Sequence, residues 1–343
     1  MVRSTVSSGK WRLLPHVGSS KILGFVRHLP RSSGSTYQWS RFRPNRAVDY
    51  FWLFSLLAPI CLAGSNLIDN HVLHARLSDP VAYDIVTAWP TVPIAAAIFL
   101  EWRVSFAFDA WFVGTAVGIA FAFLFILYNF AMMKEQGTNV VSVIYTSPIF
   151  VAILAIVFLG EQLTVTNYVG ILLLVSSAFL VLYRRIDAKN VTLGIILVYA
   201  FASSVSRVVS KSVLEGVDVW SYFFWFLVGG IIGTSILAAF RPKSVSVALK
   251  KLDAQLLVLI VTTAALGALG LVFLYSAFSL GSVALASGLS AIQPTVVFVY
   301  SAILVRLRPG AIPAERITGR WADARKIGAV LLIILGAMAL TGV

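Results

Sequence analysis

Two prolines, Pro148 and Pro294, stand near the middle of long apolar runs with polar side chains beside them. Tyr145 and Ser147 flank Pro148, while Ser290 and Gln293 precede Pro294. Proline has no amide hydrogen and cannot bond to the carbonyl four residues earlier. The carbonyls of Ile144 and Ser290 are therefore freed, and with the neighbouring phenol, hydroxyl and amide groups they predict a hydrogen-bonding wall in an apolar medium. That chemistry suits a small polar molecule. The structural alternative is a plain kink that improves packing. Asn66, Trp89 (followed by Pro90), Tyr128, Asn129 and Tyr275 are further polar-tipped or aromatic groups inside apolar runs, each a candidate for the same cavity wall or for contacts between helices.

Arg207 and Lys211 lie four residues apart, hence on one helix face. A charge at mid-membrane costs about 2.5–3.5 kcal/mol on the insertion scale. Two readings follow: both side chains snorkel to an interface, or they form an electropositive mouth for carboxylate or phosphate substrates. Glu161, in Gly160-Glu161-Gln162-Leu163-Thr164, falls at a predicted membrane–water boundary. It reads as a helix-boundary residue stabilised by the helix dipole, with Thr164 or Thr166 as caps, or as a gating ion-pair partner.

Other chemistries find little support. His71 and His74 form an HxxH pair with no third ligand beside them, so no metal is expected, and no cofactor motif is present. No Ser/His/Asp set, Cys/His pair or phosphate-cradling loop occurs in context, which argues against an enzyme. Basic and aromatic residues do not interleave as nucleic-acid binding requires. Asp69, Asp84, Glu101, Asp109 and Glu135 all fall near the ends of apolar segments. Coupling through a buried carboxylate is therefore not expected. Exchange or facilitated diffusion fits better, unless an end-lying acid such as Glu161 serves.

The elements that must position these groups are apolar helices. Of 343 residues, 59% are hydrophobic and 12% charged, with a mean hydropathy of +0.90; a soluble chain carries about twice that charge. Ten segments near twenty residues each, the length of a membrane span, run approximately 50–68, 82–100, 110–132, 138–159, 166–183, 192–213, 220–240, 254–278, 282–305 and 326–342. The single cysteine, Cys61, allows no internal disulfide. Nine of the 27 Lys and Arg residues fall in residues 1–48, which hold no acid. This Ser/Arg-rich stretch is read as a disordered tail or an organellar transit-like leader; positive charge there favours anionic headgroups.

The halves look like repeats. Leu127-Tyr128 precedes Pro148 much as Leu274-Tyr275 precedes Pro294; Glu161-Gln162-Leu163-Thr164 is echoed by Glu315-Arg316-Ile317-Thr318, and Gly170 by Gly328. From Pro148 to Glu161 is 13 residues, but from Pro294 to Glu315 it is 21, which predicts a basic surface insertion around 306–325. An odd number of helices per repeat inverts the second relative to the first, and inverted repeats build transporters with a midplane site. The division is a tail over 1–48, a first repeat over 49–186 and a second over 187–343.

The combination Pro148, Leu159, Gly160, Glu161, Leu163, Thr164 and Gly170 resembles the drug/metabolite transporter superfamily, specifically the EamA type. The likeness covers about residues 50–342; in the second half Leu304-Val305-Arg306 stands where the family usually has Leu-Gly-Glu. The resemblance implies an all-α polytopic membrane protein of ten helices in two inverted five-helix repeats. It implies a secondary transporter carrying a small organic metabolite by alternating access, often outward, with cytosolic termini. An amino acid or related compound is the first expectation. An organic-phosphate or nucleotide-sugar exchanger, or a non-transporting scaffold or sensor, are the alternatives. The expected partners are a small-molecule substrate and the lipid bilayer. The expected location is a plasma or inner membrane, with an organellar envelope as the alternative suggested by the tail.

Overall fold

A computed structural model of the chain describes residues 44–134, 140, 143–182, 191–307 and 322–341, all within the unit spanning 42–343. The described residues form helices joined by short turns, and none of them is in a strand. In chain order the α-helices are α1 (Pro44–Ala75), α2 (Pro80–Ala88), α3 (Thr91–Glu101), α4 (Gly114–Lys134), α5 (Ser147–Leu154), α6 (Val165–Leu182), α7 (Val191–Leu214), α8 (Val219–Phe240), α9 (Pro242–Lys251), α10 (Ala254–Leu280), α11 (Val283–Ser290), α12 (Gln293–Leu307) and α13 (Ala322–Thr341). π-helical turns at Asp109–Val113 and Ala155–Leu159 lead into α4 and extend α5.

Local chemistry explains where several helices begin. Asp79 caps α2, its carboxylate accepting from the amides of Val81 at 3.0 Å and Ala82 at 3.1 Å, with Pro80 first in the helix. Asp218 caps α8 through Ser221, Asp253 caps α10 through Leu256, and Ser282 caps α11 through Leu285. Each cap satisfies an amide that the first helical turn leaves without a partner. Gly160, at φ +68°, takes the left-handed conformation that ends the π-turn after α5, a conformation that costs a side-chain-bearing residue more than glycine.

Among the described residues, seven helical stretches are long and apolar enough to cross a bilayer: Val48–Ala75, Pro80–Glu101, Asp109–Lys134, Val191–Leu214, Val219–Phe240, Ala254–Leu280 and Val283–Leu304. Ser147–Leu159, Val165–Leu180 and Gly328–Thr341 are shorter apolar helices. These three occupy the fourth, fifth and tenth expected segments. Large apolar side chains such as Leu100, Val165 and Phe240 are about 80% exposed on the outside, an arrangement natural against lipid tails and unfavourable in water.

The fold departs from expectation in four places. First, α1 runs from Pro44 to Ala75, well beyond 50–68 at both ends and into the stretch assigned to the tail. Second, the basic stretch after the seventh segment is itself an amphipathic helix, α9, burying Ser244 and Ala248 and exposing its lysines. Third, the prolines interrupt helices instead of kinking them. Tyr145 and Thr146 form a turn before α5, and Ala291 and Ile292 form one before α12, with each proline in the first turn of the new helix, where its missing amide costs nothing. Fourth, Trp89 and Pro90 form a similar break between α2 and α3. Most of the expected insertion, Glu315 with it, and the expected boundary between the repeats at 186/187 lie outside the described residues.

Helix packing is led by three pairs, α1 with α10, α4 with α8, and α6 with α13. The α4–α8 seam is closest. A Cβ on Gly118 would stand 2.1 Å from the Phe226 carbonyl oxygen, and one on Gly229 would stand 2.1 Å from that of Thr115. Only glycine permits so close a backbone approach.

Candidate functional site

Between the helices lies a cavity of about 260 Å³, bounded by α1, α2, the first residue of α3, α4, the turn before α5, α7, α8, α10 and the first residue of α12. Its wall is largely apolar, with Leu62, Phe121, Phe125, Phe226 and Leu271 among the lining side chains. Into this surface project two carboxylates, one guanidinium, four phenols and several hydroxyls. A few placed polar groups in an apolar concavity are the usual composition of a small-molecule site.

The carboxylates are Asp69 on α1 and Asp84 on α2, both almost fully buried at 3% and 4% exposure. Asp69 is tied into a hydroxyl network. Tyr83 donates a short hydrogen bond to its Oδ1, and Thr263 on α10 donates to the same oxygen at 2.6 Å. Because the single Thr263 hydroxyl hydrogen goes to Asp69 in this arrangement, Ser65 is the donor in its 2.8 Å bond to Thr263. Asp84 differs: its Oδ2 is buried and has no hydrogen-bond partner.

The cation is Arg207 on α7. It lies within electrostatic reach of Tyr145, Tyr199 and Tyr275, and its Nη1 is buried without a hydrogen-bond acceptor. Tyr199 is within reach of both Arg207 and Asp69, so it stands between the positive and negative parts of the cavity. The Tyr128 hydroxyl is the third buried polar group on this wall without a partner. Buried polar atoms in folded proteins are nearly always bonded. Three unpaired ones face this one space, while the others, those of Asn129 and Ser147 among them, lie outside its lining.

Six of the residues singled out from sequence line this cavity: Asn66, Tyr128, Tyr145, Arg207, Tyr275 and Gln293. Others lie elsewhere. Trp89 is 43% exposed and outside the lining, although its neighbours Ala88 and Thr91 belong to it. Lys211 lies outside the cavity lining with its Nζ 3.5 Å from the exposed Glu215 one turn on, so it does not join Arg207 there. Asn129, Ser147, Pro148, Ser290 and Pro294 pack behind the wall; the Ser290 hydroxyl bonds to the Ala286 carbonyl at 3.1 Å, and the Ser147 carbonyl accepts from Ser204 at 3.1 Å. Of the two residues whose carbonyls were expected to be freed, Ile144 lines the cavity and Ser290 does not. Asp69 and Asp84 are corrections too, since both sit inside the protein and not at exposed segment ends. Tyr199, Ser65 and Thr263 were not singled out from sequence; single hydroxyls in apolar runs give no signal until neighbouring helices bring them together.

Glu161 also acts differently from the expected cap of its own helix. Its carboxylate reaches across to α11, accepting from the Ser282 hydroxyl at 2.6 Å, the Val283 amide at 2.7 Å and the Ala284 amide at 3.4 Å. It therefore satisfies the helix N-terminus at the start of the Val283–Leu304 stretch. Thr164 meanwhile bonds locally to Thr166 and Asn167. Ends of other helices are joined by an exposed ion pair, Arg76 Nη1 to Asp253 Oδ2 at 3.2 Å, with Gln255 accepting from Nη2 at 2.6 Å. His71 and His74 bind nothing in common. His74 bonds to the Asn70 carbonyl at 3.0 Å, and among the described residues no three His, Cys, Asp or Glu side chains are grouped as metal ligands would be.

Apolar helices surrounding a polar-lined cavity define an integral, multi-pass membrane protein. Residues 52–183 match the model of the EamA-like transporter family, part of the drug/metabolite transporter superfamily. No curated protein matches the chain. Among solved structures, one crystal structure shares the fold with a TM-score of 0.60 at 17% identity, over 85% of this chain and 96% of that one.

Proposed function

We propose that this protein is a secondary transporter that carries a small zwitterionic metabolite, an amino acid or a related compound, by alternating access. The observation that carries the reading is the set of unpaired polar atoms, Asp84 Oδ2, Tyr128 Oη and Arg207 Nη1, facing one largely apolar cavity. A structural scaffold gains nothing from leaving such groups unbonded. Arg207, ringed by Tyr145, Tyr199 and Tyr275, receives the substrate carboxylate; the Asp69 network provides the negative pole toward the ammonium group. The cavity volume is at the lower end for ligand sites, in keeping with an amino acid and small for a nucleotide sugar. An organic phosphate is disfavoured because Lys211 is spent on Glu215 and two acids share the cavity.

Ten crossings in two inverted five-helix repeats complete the reading. Support comes from the pattern of packing: α1 meets α10 as α7 meets α4, and α12 meets α1 as α5 meets α7. These are the pairs that a two-fold exchange of the halves interconverts. The test is counterflow in proteoliposomes loaded separately with amino acids, nucleotide sugars, phosphorylated sugars or cationic dyes. Accelerated exchange of amino acids is expected. No accelerated flux of any class would end the carrier reading.

A further inference from the structure

The helix α9 joins α8 to α10 and lines no part of the cavity. It has ten residues, and so short a helix is marginal in water unless something packs on it. The protein covers little of it: α9 packs on α2 and α8, and of its residues only Ser244 and Ala248 are buried. These two stand four apart and share one face. Val245 and Leu249 share a second face, and Lys243 and Lys250, seven apart, share a third. Val245 is half-buried, while Leu249 and both lysines are exposed. One face against protein, one aliphatic and one of ammonium groups suit a helix lying in the plane of a membrane surface. There the aliphatic side chains enter the acyl boundary and the lysines extend among the headgroups.

The cations at this end of the bundle lack acidic partners. Arg241, Lys243, Lys250 and Lys251 are all exposed, and among the described residues none of the four forms an ion pair. Lys251 donates only to the Arg76 carbonyl, at 3.3 Å. The neighbouring acids are engaged elsewhere: Asp253 caps α10 and pairs with Arg76, and Asp79 caps α2. The opposite end of α8 is built the other way. Trp102 stacks there on Trp220 with ring centres 4.3 Å apart, which brings the end of α3 to the start of α8. Near that junction Glu101, Asp109, Glu215 and Asp218 stand against Arg103 and a Lys211 already paired with Glu215. One end of α8 is thus aromatic and acidic, and the other carries cations that no described acid balances.

We infer that α9 is a membrane-surface helix whose Lys243 and Lys250 face binds the phosphate headgroups of anionic phospholipids. A phosphodiester with net negative charge offers acceptor oxygens to two ammonium groups, and the aliphatic face beside them takes the start of the acyl chains. A zwitterionic headgroup brings a cation of its own and gains little. Each cation near an anionic lipid surface strengthens binding about fivefold. Headgroup binding at α9 is independent of what the cavity carries. It also bears on the cavity, because α9 packs on α2 and the α2 residues Thr87 and Ala88 line that space.

The test is native mass spectrometry of the full-length protein in an uncharged detergent, with phosphatidylglycerol or phosphatidylcholine of the same acyl chains added at equal concentration. Wild type is expected to retain phosphatidylglycerol in preference to phosphatidylcholine. In the double variant Lys243→Gln, Lys250→Gln the tightest phosphatidylglycerol site should weaken about 25-fold, fivefold for each ammonium group, with phosphatidylcholine unchanged. Arg103→Gln, at the opposite end, should behave as wild type. Lys243→Arg with Lys250→Arg keeps both charges and should keep the site. Equal retention of the two lipids by wild type, an unchanged tightest site in the glutamine variant, or the same loss in the arginine variant would overturn the inference. Retention of soluble glycerol phosphate as tight as that of phosphatidylglycerol would mark a free-phosphate site and overturn the lipid assignment. Thermal midpoints supply a second readout, since a ligand that binds only the folded state raises them. Phosphatidylglycerol should raise the midpoint of wild type more than that of the glutamine variant; an equal rise would count against α9 as the site.

Discussion

At Pro148 the chain turns through Tyr145 and Thr146, and at Pro294 it turns through Ala291 and Ile292. The backbone bonds correspond position by position. Thr146 donates to the Val143 carbonyl as Ile292 donates to that of Leu289, and Ile149 donates to Thr146 as Thr295 donates to Ile292, each at 3.0 Å. The side chains do not correspond. Tyr145 faces the cavity from the first break, where the second has Ala291; Gln293 faces it from the second, where the first has Ser147. The charges divide as well, with Asp69 and Asp84 from the first half of the chain and Arg207 from the second. The two halves therefore share a backbone device that opens a wall and differ in what they place on it. On the proposed reading, matched backbone supplies the geometry of a site between the halves, and unmatched side chains give it a polarity suited to an asymmetric, zwitterionic molecule.

That comparison is most severely broken at the α4–α8 seam, where the halves meet backbone to backbone. Gly229→Val should abolish most folded protein, because even a Cβ there overlaps the Thr115 carbonyl at 2.1 Å and overpacking alone costs about 1–3 kcal/mol; the yield of monodisperse protein on size exclusion is the check. Removing the second half's contribution to polarity comes next. Arg207→Ala should lower amino-acid flux about 10- to 100-fold, the worth of a charged hydrogen bond, with protein yield unchanged. Arg207→Lys should restore part of it, since an ammonium cannot make the paired contact of a guanidinium. Equal loss of flux and yield would assign Arg207 to packing.

The link between the halves is a smaller term. Glu161→Ala leaves Ser282, Val283 and Ala284 without their shared acceptor, and should cost about 1–2 kcal/mol of stability, seen as a lower thermal midpoint in detergent. Arg76→Ala should matter least. Its ion pair with Asp253 is 38% and 53% exposed, and such pairs contribute about 0–1 kcal/mol. A larger effect for Arg76 than for Glu161 would reverse the ranking of the two links.

Much of the architecture was legible because it depends on properties that survive in one dimension. Apolar length marks the spans, proline marks a helix start, and Pro148 and Pro294 mark equivalent points of the two halves. The positions of Asp69 and Asp84 were not legible. Hydropathy places the end of the first segment at the first strongly polar residues, yet α1 continues to Ala75 because Tyr83 and Thr263 satisfy Asp69. A polar residue that ends a hydropathy run can equally begin a buried network. Glu161 was misread for a related reason. Its own helix lies next in sequence, but the amides it satisfies belong to α11, more than a hundred residues later.

The central claim is that the cavity recognises both ends of a zwitterion. Counterflow by the wild-type protein, compared among an L-amino acid, its decarboxylated amine and its deaminated acid, tests this most directly. The account predicts exchange of the amino acid and little of either relative, because each leaves one pole of the cavity unpaired. Equal exchange of the amine or the acid would contradict it.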